Sequence, residues 1–474
     1  MEGVRYDSAA GKWVLIATVL GSALAAIDAT VVGIALPAIG REFGVGLGSL
    51  QWVVTAYTLT LAGLLLVAGA LGDRYGRRLV FQIGVVWFAA ASALCAVASG
   101  PGLLIMARAL QGVGAALLTP GSLAILQASF HPDDRGKAIG AWSGLSGVAA
   151  AVGPFLGGWL VEAASWRLIF VINLPLAVLV VVLTWRHVPE SRDPEASGRV
   201  DVVGGVLVTG GLVGLTYGLI EGPERGWTAP AALALLLVVF VWWQSRVDHP
   251  LLPLEMFRSV GFSVTNVVTF IVYGALGGAL FLLPIQLQQV SGYTPLEAGI
   301  ALLPVTVIML LLSSKSGAVA AKIGPRMQMS VGPVVVGAGF ALLTRVDEAG
   351  TYLTEVFPAV CVFGLGLAIT VAPLTATVLA AVPARHAGIA SAVNNDVARA
   401  ASLIAVAVFP ALVGIAGDAY LHPERFSAGF HSASLIAAAL CVAGGLLSAV
   451  ALRGAACPRM AARHHCALDA PPLD

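Results

Sequence analysis

The chain has 474 residues, of which Lys and Arg (26) and Asp and Glu (25) together make up only 11%, where a soluble domain carries about 25% charged residues. With 58% apolar residues and a mean hydropathy of +0.91, there is too little charge for a soluble surface and too much apolar side chain for disorder. The net charge of +1 gives no case for a nucleic-acid partner, and the class left is a polytopic membrane protein.

A bilayer helix needs roughly 20 mostly apolar residues, and fourteen runs qualify. In the first half they are Lys12–Leu36, Leu50–Leu71, Leu79–Ala98, Gly102–Ala128, Ala138–Val161 and Leu168–Trp185. Val203–Ile220 and Ala229–Ser245 follow. Then come Phe262–Val290, Ala298–Ala320, Met329–Thr344, Val356–Ala380, Ala387–Ile415 and Ser432–Leu452. The first run is too long, and lacks a small-residue cleavage site, to be a removable signal peptide.

An even number of spans puts both termini on one side. With that side cytoplasmic, the inner segments hold 18 of the Lys and Arg residues and the outer loops hold 5. The positive-inside rule therefore predicts cytoplasmic termini in a plasma-membrane protein.

The loop after the second span runs from Gly69 through Gly72, Asp73, Arg74, Gly76 and Arg77 to Arg78. After the tenth span, Gly317 to Arg326 repeats a glycine, an alanine, a cation, a glycine and a final arginine at a shift of 248 residues, with Ala321 in place of Asp73. Spans one to six thus correspond to nine to fourteen. The expected organisation is a six-helix bundle over residues 1–185, a cytoplasmic linker and inserted hairpin over 186–250, a second six-helix bundle over 251–454 and a cytoplasmic tail over 455–474. Two repeats facing each other place a binding site near the midplane between them.

Five ionisable residues fall inside spans: Asp28, Arg108, Lys315, Asp396 and Arg399. A charge at a helix centre costs about 2.5–3.5 kcal/mol on insertion scales, so each is a functional candidate. At ~1.5 Å per residue, Asp28 and Arg108 lie at similar depth, roughly 12 and 9 Å below the outer face, and are expected to pair or compete. Asp396 and Arg399 share one helix face at a spacing of i and i+3, preceded by Asn394 and Asn395. They are read either as an ion pair that neutralises itself or as a second carboxylate exposed to the cavity. Lys315, five residues from the end of its run, is expected to snorkel to the cytoplasm. Trp52, Tyr57, Tyr273 and Gln286 are candidates for cavity lining or for packing.

No His falls inside an apolar run, no CxxC motif occurs, and no metal site is expected, the tail residues His464, His465 and Cys466 being read as unstructured. There is no GxxxxGK[ST] loop for ATP, and no nucleophile–base set for a membrane enzyme.

Taken in order, these motifs resemble the major facilitator superfamily over nearly the whole chain, and in detail its fourteen-helix branch of drug–proton antiporters. The run Ile27-Asp28-Ala29-Thr30 to Leu36-Pro37 is similar to that branch's first-helix signature, with Gly33 where the family usually has Asn. Gly69 to Arg78 is similar to the loop motif between helices two and three. Arg108-Ala-Leu-Gln111-Gly112-Val-Gly114 resembles the fourth-helix arginine motif. Gly147 with Gly153-Pro154 and Gly157-Gly158 resembles the fifth-helix antiporter motif, and Trp166 to Pro175, including Asn173, the opening of the sixth helix.

The resemblance implies an all-α major facilitator fold: two six-helix bundles plus two extra central helices. It implies a monomeric proton-coupled antiporter that exports small amphipathic drugs or secondary metabolites by alternating access, with no cofactor beyond the proton gradient. Asp28 is then the leading proton site, Asp396 the second, with Arg108, Arg399, Asn394 and Asn395 around the substrate. Asp73 is expected to bond across the halves, near the start of the thirteenth span at Ala387, when the inner gate is shut. Gly147, Gly153, Pro154, Gly157 and Gly158 are expected to seal against the second half. An importer of the same fold is the first alternative, and a channel or membrane enzyme the second. The four Lys against 22 Arg fit a GC-rich bacterial genome.

Overall fold

A chain crossing hydrocarbon must satisfy its own backbone polar groups, and this one does so with helices alone among the described residues. The computed structural model describes residues 3–192, 200–248, 250–348, 351–382, 387–415, 420 and 422–452. The expected tail 455–474, with Cys457, His464, His465 and Cys466, lies outside them, as do His249, Arg385 and His386.

The helices of the first half are α1 (Ala9–Phe43), α2 (Leu47–Tyr75), α3 (Arg77–Ala96), α4 (Pro101–Ser129), α5 (Pro132–Ala163), α6 (Leu168–Val171) and α7 (Asn173–His187). The inserted hairpin is α8 (Val202–Arg225) and α9 (Thr228–Gln244). The second half holds α10 (Val260–Ile285), α11 (Pro295–Ala301), α12 (Leu303–Ile323), α13 (Pro325–Leu343), α14 (Phe357–Ala380), α15 (Ala387–Leu412) and α16 (Pro423–Ala451).

Two expected spans are broken, each at a proline. The ring of a proline clashes with the carbonyl four residues before it. Pro175 sets that clash at Val171, where α6 ends, and Pro304 sets it at Ile300, next to the end of α11. Thirteen segments among the described residues are long and apolar enough to cross a membrane. The eighth expected span, α9, has only 17 residues, or about 25 Å of helix, and is the short member of the set. Conversely α1, at 35 residues, is about 52 Å long and exceeds the roughly 30 Å of hydrocarbon. Its end at Phe43 rather than Leu36 puts Asp28 deeper from that end than the run length implied.

The repeat is visible in how helices cross. Gly84 on α3 packs against Leu117 and Leu118 of α4, and Gly332 on α13 packs against Ile369 and Thr370 of α14. Gly114 meets the Phe88 backbone, as Gly366 meets Val336. The loops before α3 and α13 turn on Gly76 (φ 125°) and Gly324 (φ 86°), conformations that a side chain would strain. These pairs keep the 248-residue shift up to α13, and the longer connection into α14 adds four residues.

Fourteen helical passes among the described residues, with α6–α7 and α11–α12 each counted once, bring Gly3 and Leu452 to one end of the bundle, the terminal end. At the opposite, far end the two halves are in contact. Gln51 of α2 donates to the carbonyl of Val406 on α15 at 2.7 Å, and Gln288 donates to Ile34 of α1 at 3.0 Å. The Leu296 amide reaches Glu162 of α5 at 3.1 Å. Toward the terminal end, Gly136, Gly140, Gly144 and Gly147 on α5 and Gly388 on α15 face open space. Among the described residues, the hydrogen bonds between the halves therefore lie at the far end.

The hairpin lies on the first half and reaches across to the second. Leu212 of α8 is buried with Leu59 and Ala62 of α2 and Leu403 of α15. Asp201 anchors its base, accepting from the Gly204 amide (2.8 Å), Trp243 (2.9 Å) and Gln244 (2.6 Å).

Candidate functional site

The most completely bonded polar cluster sits inside the first half. Asp28 is 0% exposed and Arg108 1%, and the two form an ion pair. Arg108 also donates to Gln111 Oε1 at 2.6 Å and, through Nε, to the Val53 carbonyl at 3.1 Å. Gln111 donates to Asp28 Oδ1 at 2.7 Å and to Ser92 Oγ at 2.8 Å, and Asn173 donates to the same two oxygens at 3.1 and 3.3 Å. The Tyr57 ring lies beneath the guanidinium with its centroid at 4.3 Å, and Phe170 lies at 5.8 Å.

Helix geometry explains the gathering. Arg108 and Gln111 are one turn apart on α4 and point the same way. Asn173, the first residue of α7, reaches Asp28 and Ser92 with its amide. An ion pair taken out of water is favourable only when its remaining hydrogen-bonding capacity is filled; here Gln111, Asn173 and the Val53 carbonyl fill it.

This differs from the expectation of a pair facing a central cavity. Asp28 and Arg108 are walled off by α2, α3, α4, α6 and α7, and Tyr57 and Phe170 cover the guanidinium. Ser92, Gln111 and Asn173 have the same standing as the two charges. Gln111 and Asn173 were legible only inside the motifs at Arg108–Gly114 and Trp166–Pro175, and Ser92 had no sequence signal.

The second cluster, on α15, is built differently. Asn394 donates to Asn266 (3.1 Å) and Thr269 (2.8 Å) on α10, bracing the two helices. Asn395 donates to the Ser391 carbonyl of its own helix at 2.9 Å. Asp396 and Arg399 form no ion pair with each other or with any other described residue, so the reading of a self-neutralising pair is replaced. Asp396 Oδ1 and Arg399 Nε are enclosed without partners, while both side chains remain partly accessible. Arg399 lies within electrostatic range of Tyr57 on α2 and Tyr273 on α10, at the seam between the halves.

At the terminal end, Asp73 pairs with Arg77 of its own loop at 2.8 Å and does not reach α15. Among the described residues, no second-half backbone lies beside Gly72. Arg78 is held by the segment after α7: its amide donates to Glu190 Oε1 at 3.0 Å, and its guanidinium to the Val188 carbonyl at 3.1 Å. The Leu79 amide donates to Glu190 Oε2 at 3.2 Å, so a carboxylate from another part of the chain caps α3. Glu190 carried no motif and was missed. Gly69 lies near Pro120, and Arg74 is exposed.

On α5, Gly153 fits against Thr30 and Gly157 against Val31, both on α1, while Gly158 receives the Pro295 backbone of α11. Pro154 contacts Gly299 through its carbonyl. Gly147 faces open space and makes no such contact.

Other expectations are corrected by contacts. Trp52 donates to Glu221 of α8 at 3.1 Å and so faces the hairpin. Gln286 is fully buried in the second half, donating to Val346 and Ser427. His431 lies inside α16, near the Val346 carbonyl (3.3 Å) and Asp347 (3.4 Å), so one histidine does fall in a spanning helix. Lys315 is exposed. Among the described residues no group of His, Cys, Asp and Glu is placed to hold a metal ion.

A family model described as Major Facilitator Superfamily matches residues 18–407. The chain is 35% identical to the multidrug resistance protein Stp of Mycobacterium tuberculosis, covering 86% of this chain and 77% of that one. It is 34% identical to a tetracenomycin C resistance and export protein of Streptomyces glaucescens, covering 90% and 81%. It is 38% identical to a puromycin resistance protein of Streptomyces alboniger, covering 86% and 83%. In fold it is similar to a bacterial homolog of the human lysosomal transporter Spinster, with a TM-score of 0.69 at 17% identity over 94% of this chain and 98% of that one.

Proposed function

This chain belongs to the Major Facilitator Superfamily, and we propose that it works as a proton-coupled antiporter. It is a multi-pass membrane protein and a drug efflux transporter; its family and relatives carry small molecules across bilayers and are not enzymes. The finer reading is export of amphipathic drugs or secondary metabolites across the plasma membrane by a monomer, with the terminal end in the cytoplasm. The names of the relatives make puromycin and tetracenomycin C the first compounds to try.

The observation that carries proton coupling is the enclosed Asp28–Arg108 pair. Protonating Asp28 cancels one of two buried charges and leaves Arg108 without its counter-ion, a loss of several kcal/mol for a buried pair. The cluster answers by rearranging. Asp28 is bonded to α4 and α7, so its protonation loosens α1 within the first half. α1 in turn accepts Gln288 from the second half and packs against Gly153 and Gly157 of α5. A proton on Asp28 thereby acts on the seam that closes the far end.

In this cycle the conformation open at the terminal end loads drug from the cytoplasm. Asp73, Arg74, Arg77 and Arg78, with Gly69, Gly72 and Gly76 in the same loop, close that end when Asp73 leaves Arg77 for α15. The family needs no cofactor, and the proton gradient is the energy source.

The test is puromycin accumulation in inverted membrane vesicles. Acidifying the lumen is expected to drive uptake, and Asp28→Asn to abolish it while the protein stays folded. Gradient-driven uptake that survives Asp28→Asn removes Asp28 as the coupling site.

A further inference from the structure

We propose that Asp396 and Arg399 form a substrate subsite of split charge, which takes zwitterionic molecules, or neutral ones with both hydrogen-bond donors and acceptors, in preference to lipophilic cations. This rests on the efflux reading above and adds the substrate class. The contrast between the two charged clusters leads to it. Around Asp28 the polar capacity is filled: one carboxylate oxygen takes Gln111 and Asn173, the other takes Arg108, and Arg108 spends its Nε on Val53. That cluster offers a substrate nothing. On α15 the neutral amides are filled instead, Asn394 against α10 and Asn395 against its own helix. The two charges there are left without hydrogen bonds or ion pairs among the described residues, each with a polar atom enclosed and unpartnered.

An enclosed polar atom without a partner is unfavourable unless something bound supplies one. Asp396 and Arg399 do not pair with one another, although they sit one turn apart on the same helix face. Their location fits a ligand. Arg399 lies within electrostatic range of Tyr57 of the first half and Tyr273 of the second, which puts the subsite near both halves. Tyr57 is also the ring that supports Arg108, which places this subsite next to the enclosed ion pair.

Charge decides the class. A cation gains from Asp396 what it loses to Arg399, and an anion the reverse. A zwitterion gains from both, and a neutral molecule can donate to Asp396 and accept from Arg399. Hydrogen bonds to charged groups are worth roughly tenfold or more in affinity each.

The experiment is equilibrium binding to purified full-length protein in nanodiscs, without a gradient, using norfloxacin as the zwitterion and ethidium as the fixed cation. Norfloxacin is expected to bind the wild type more tightly than ethidium. Asp396→Asn and Arg399→Gln are each expected to weaken norfloxacin by roughly tenfold. Arg399→Gln leaves Asp396 uncompensated and is expected to tighten ethidium by a similar factor, a gain that a misfolded variant cannot show. A wild type that prefers ethidium, that binds neither probe, or whose norfloxacin affinity survives both substitutions within twofold, overturns the proposal; so does an Arg399→Gln variant that does not gain ethidium. Because binding is read without a proton gradient, failure here leaves the Asp28 coupling test standing, and failure of that test leaves this one standing.

Discussion

Asn173 donates to Asp28 Oδ1 at 3.1 Å and ties the first turn of α7 to the middle of α1. The bond makes a neutral amide part of the charge cluster. Asn173→Ala removes a bond to an ionised group, worth about 1.5–3 kcal/mol. The expected outcome is a lower thermal midpoint in detergent together with reduced puromycin uptake in vesicles. Asn173→Asp adds a second carboxylate beside Asp28 and is expected to cost more.

Gly158 and Gly147 belong to one helix but to different surroundings. A methyl group on Gly158 would overlap the Pro295 carbonyl of α11, while Gly147 has nothing beside it. Gly158→Ala is expected to disfavour far-end closure by about 1–3 kcal/mol. Spin-label distances between α5 and α11 should lengthen, and efflux should fall. Gly147→Ala is expected to leave those distances unchanged and to favour the helix by about 0.5–1 kcal/mol.

Glu190 caps α3 through the amides of Arg78 and Leu79. Glu190→Ala is expected to cost about 0.5–2 kcal/mol, as the loss of other N-terminal caps does. Hydrogen exchange at those two amides should accelerate while α4 stays protected. Glu190→Gln keeps one acceptor oxygen and should retain part of the protection.

Asp201 accepts three donors at the base of the hairpin and is only 7% exposed. Asp201→Ala strands those donors, each costing about 1–3 kcal/mol when buried. Limited proteolysis between α7 and α10 is expected to become faster. Asp201→Asn, with its one remaining acceptor oxygen, should lie between the wild type and Ala.

Much of this protein could be read from its residues in order. The spans follow from apolar runs measured against a fixed membrane thickness. The repeat follows from glycines at a constant shift, which the structure places at corresponding positive-φ turns, Gly76 and Gly324. The family follows from ordered motifs at Asp28, Gly69–Arg78, Arg108 and Gly153–Gly158. The proline breaks before Asn173 and Leu303 were not anticipated, although Pro175 and Pro304 mark them.

Periodicity and run length are properties of one helix facing one solvent, so the sequence by itself determined which segments cross the bilayer and which few charges enter it. It could not say which of those charges is satisfied. Whether Asp28 is enclosed and Asp396 left open depends on side chains 80 to 145 residues away, such as Arg108, Gln111 and Asn173. The same holds for Trp52, which turns to Glu221, and for Asp73, which stays with Arg77. Only the packing of helices brings partners distant in sequence within hydrogen-bond distance, and at that range hydrogen bonding separates a sealed ion pair from two charges left without partners.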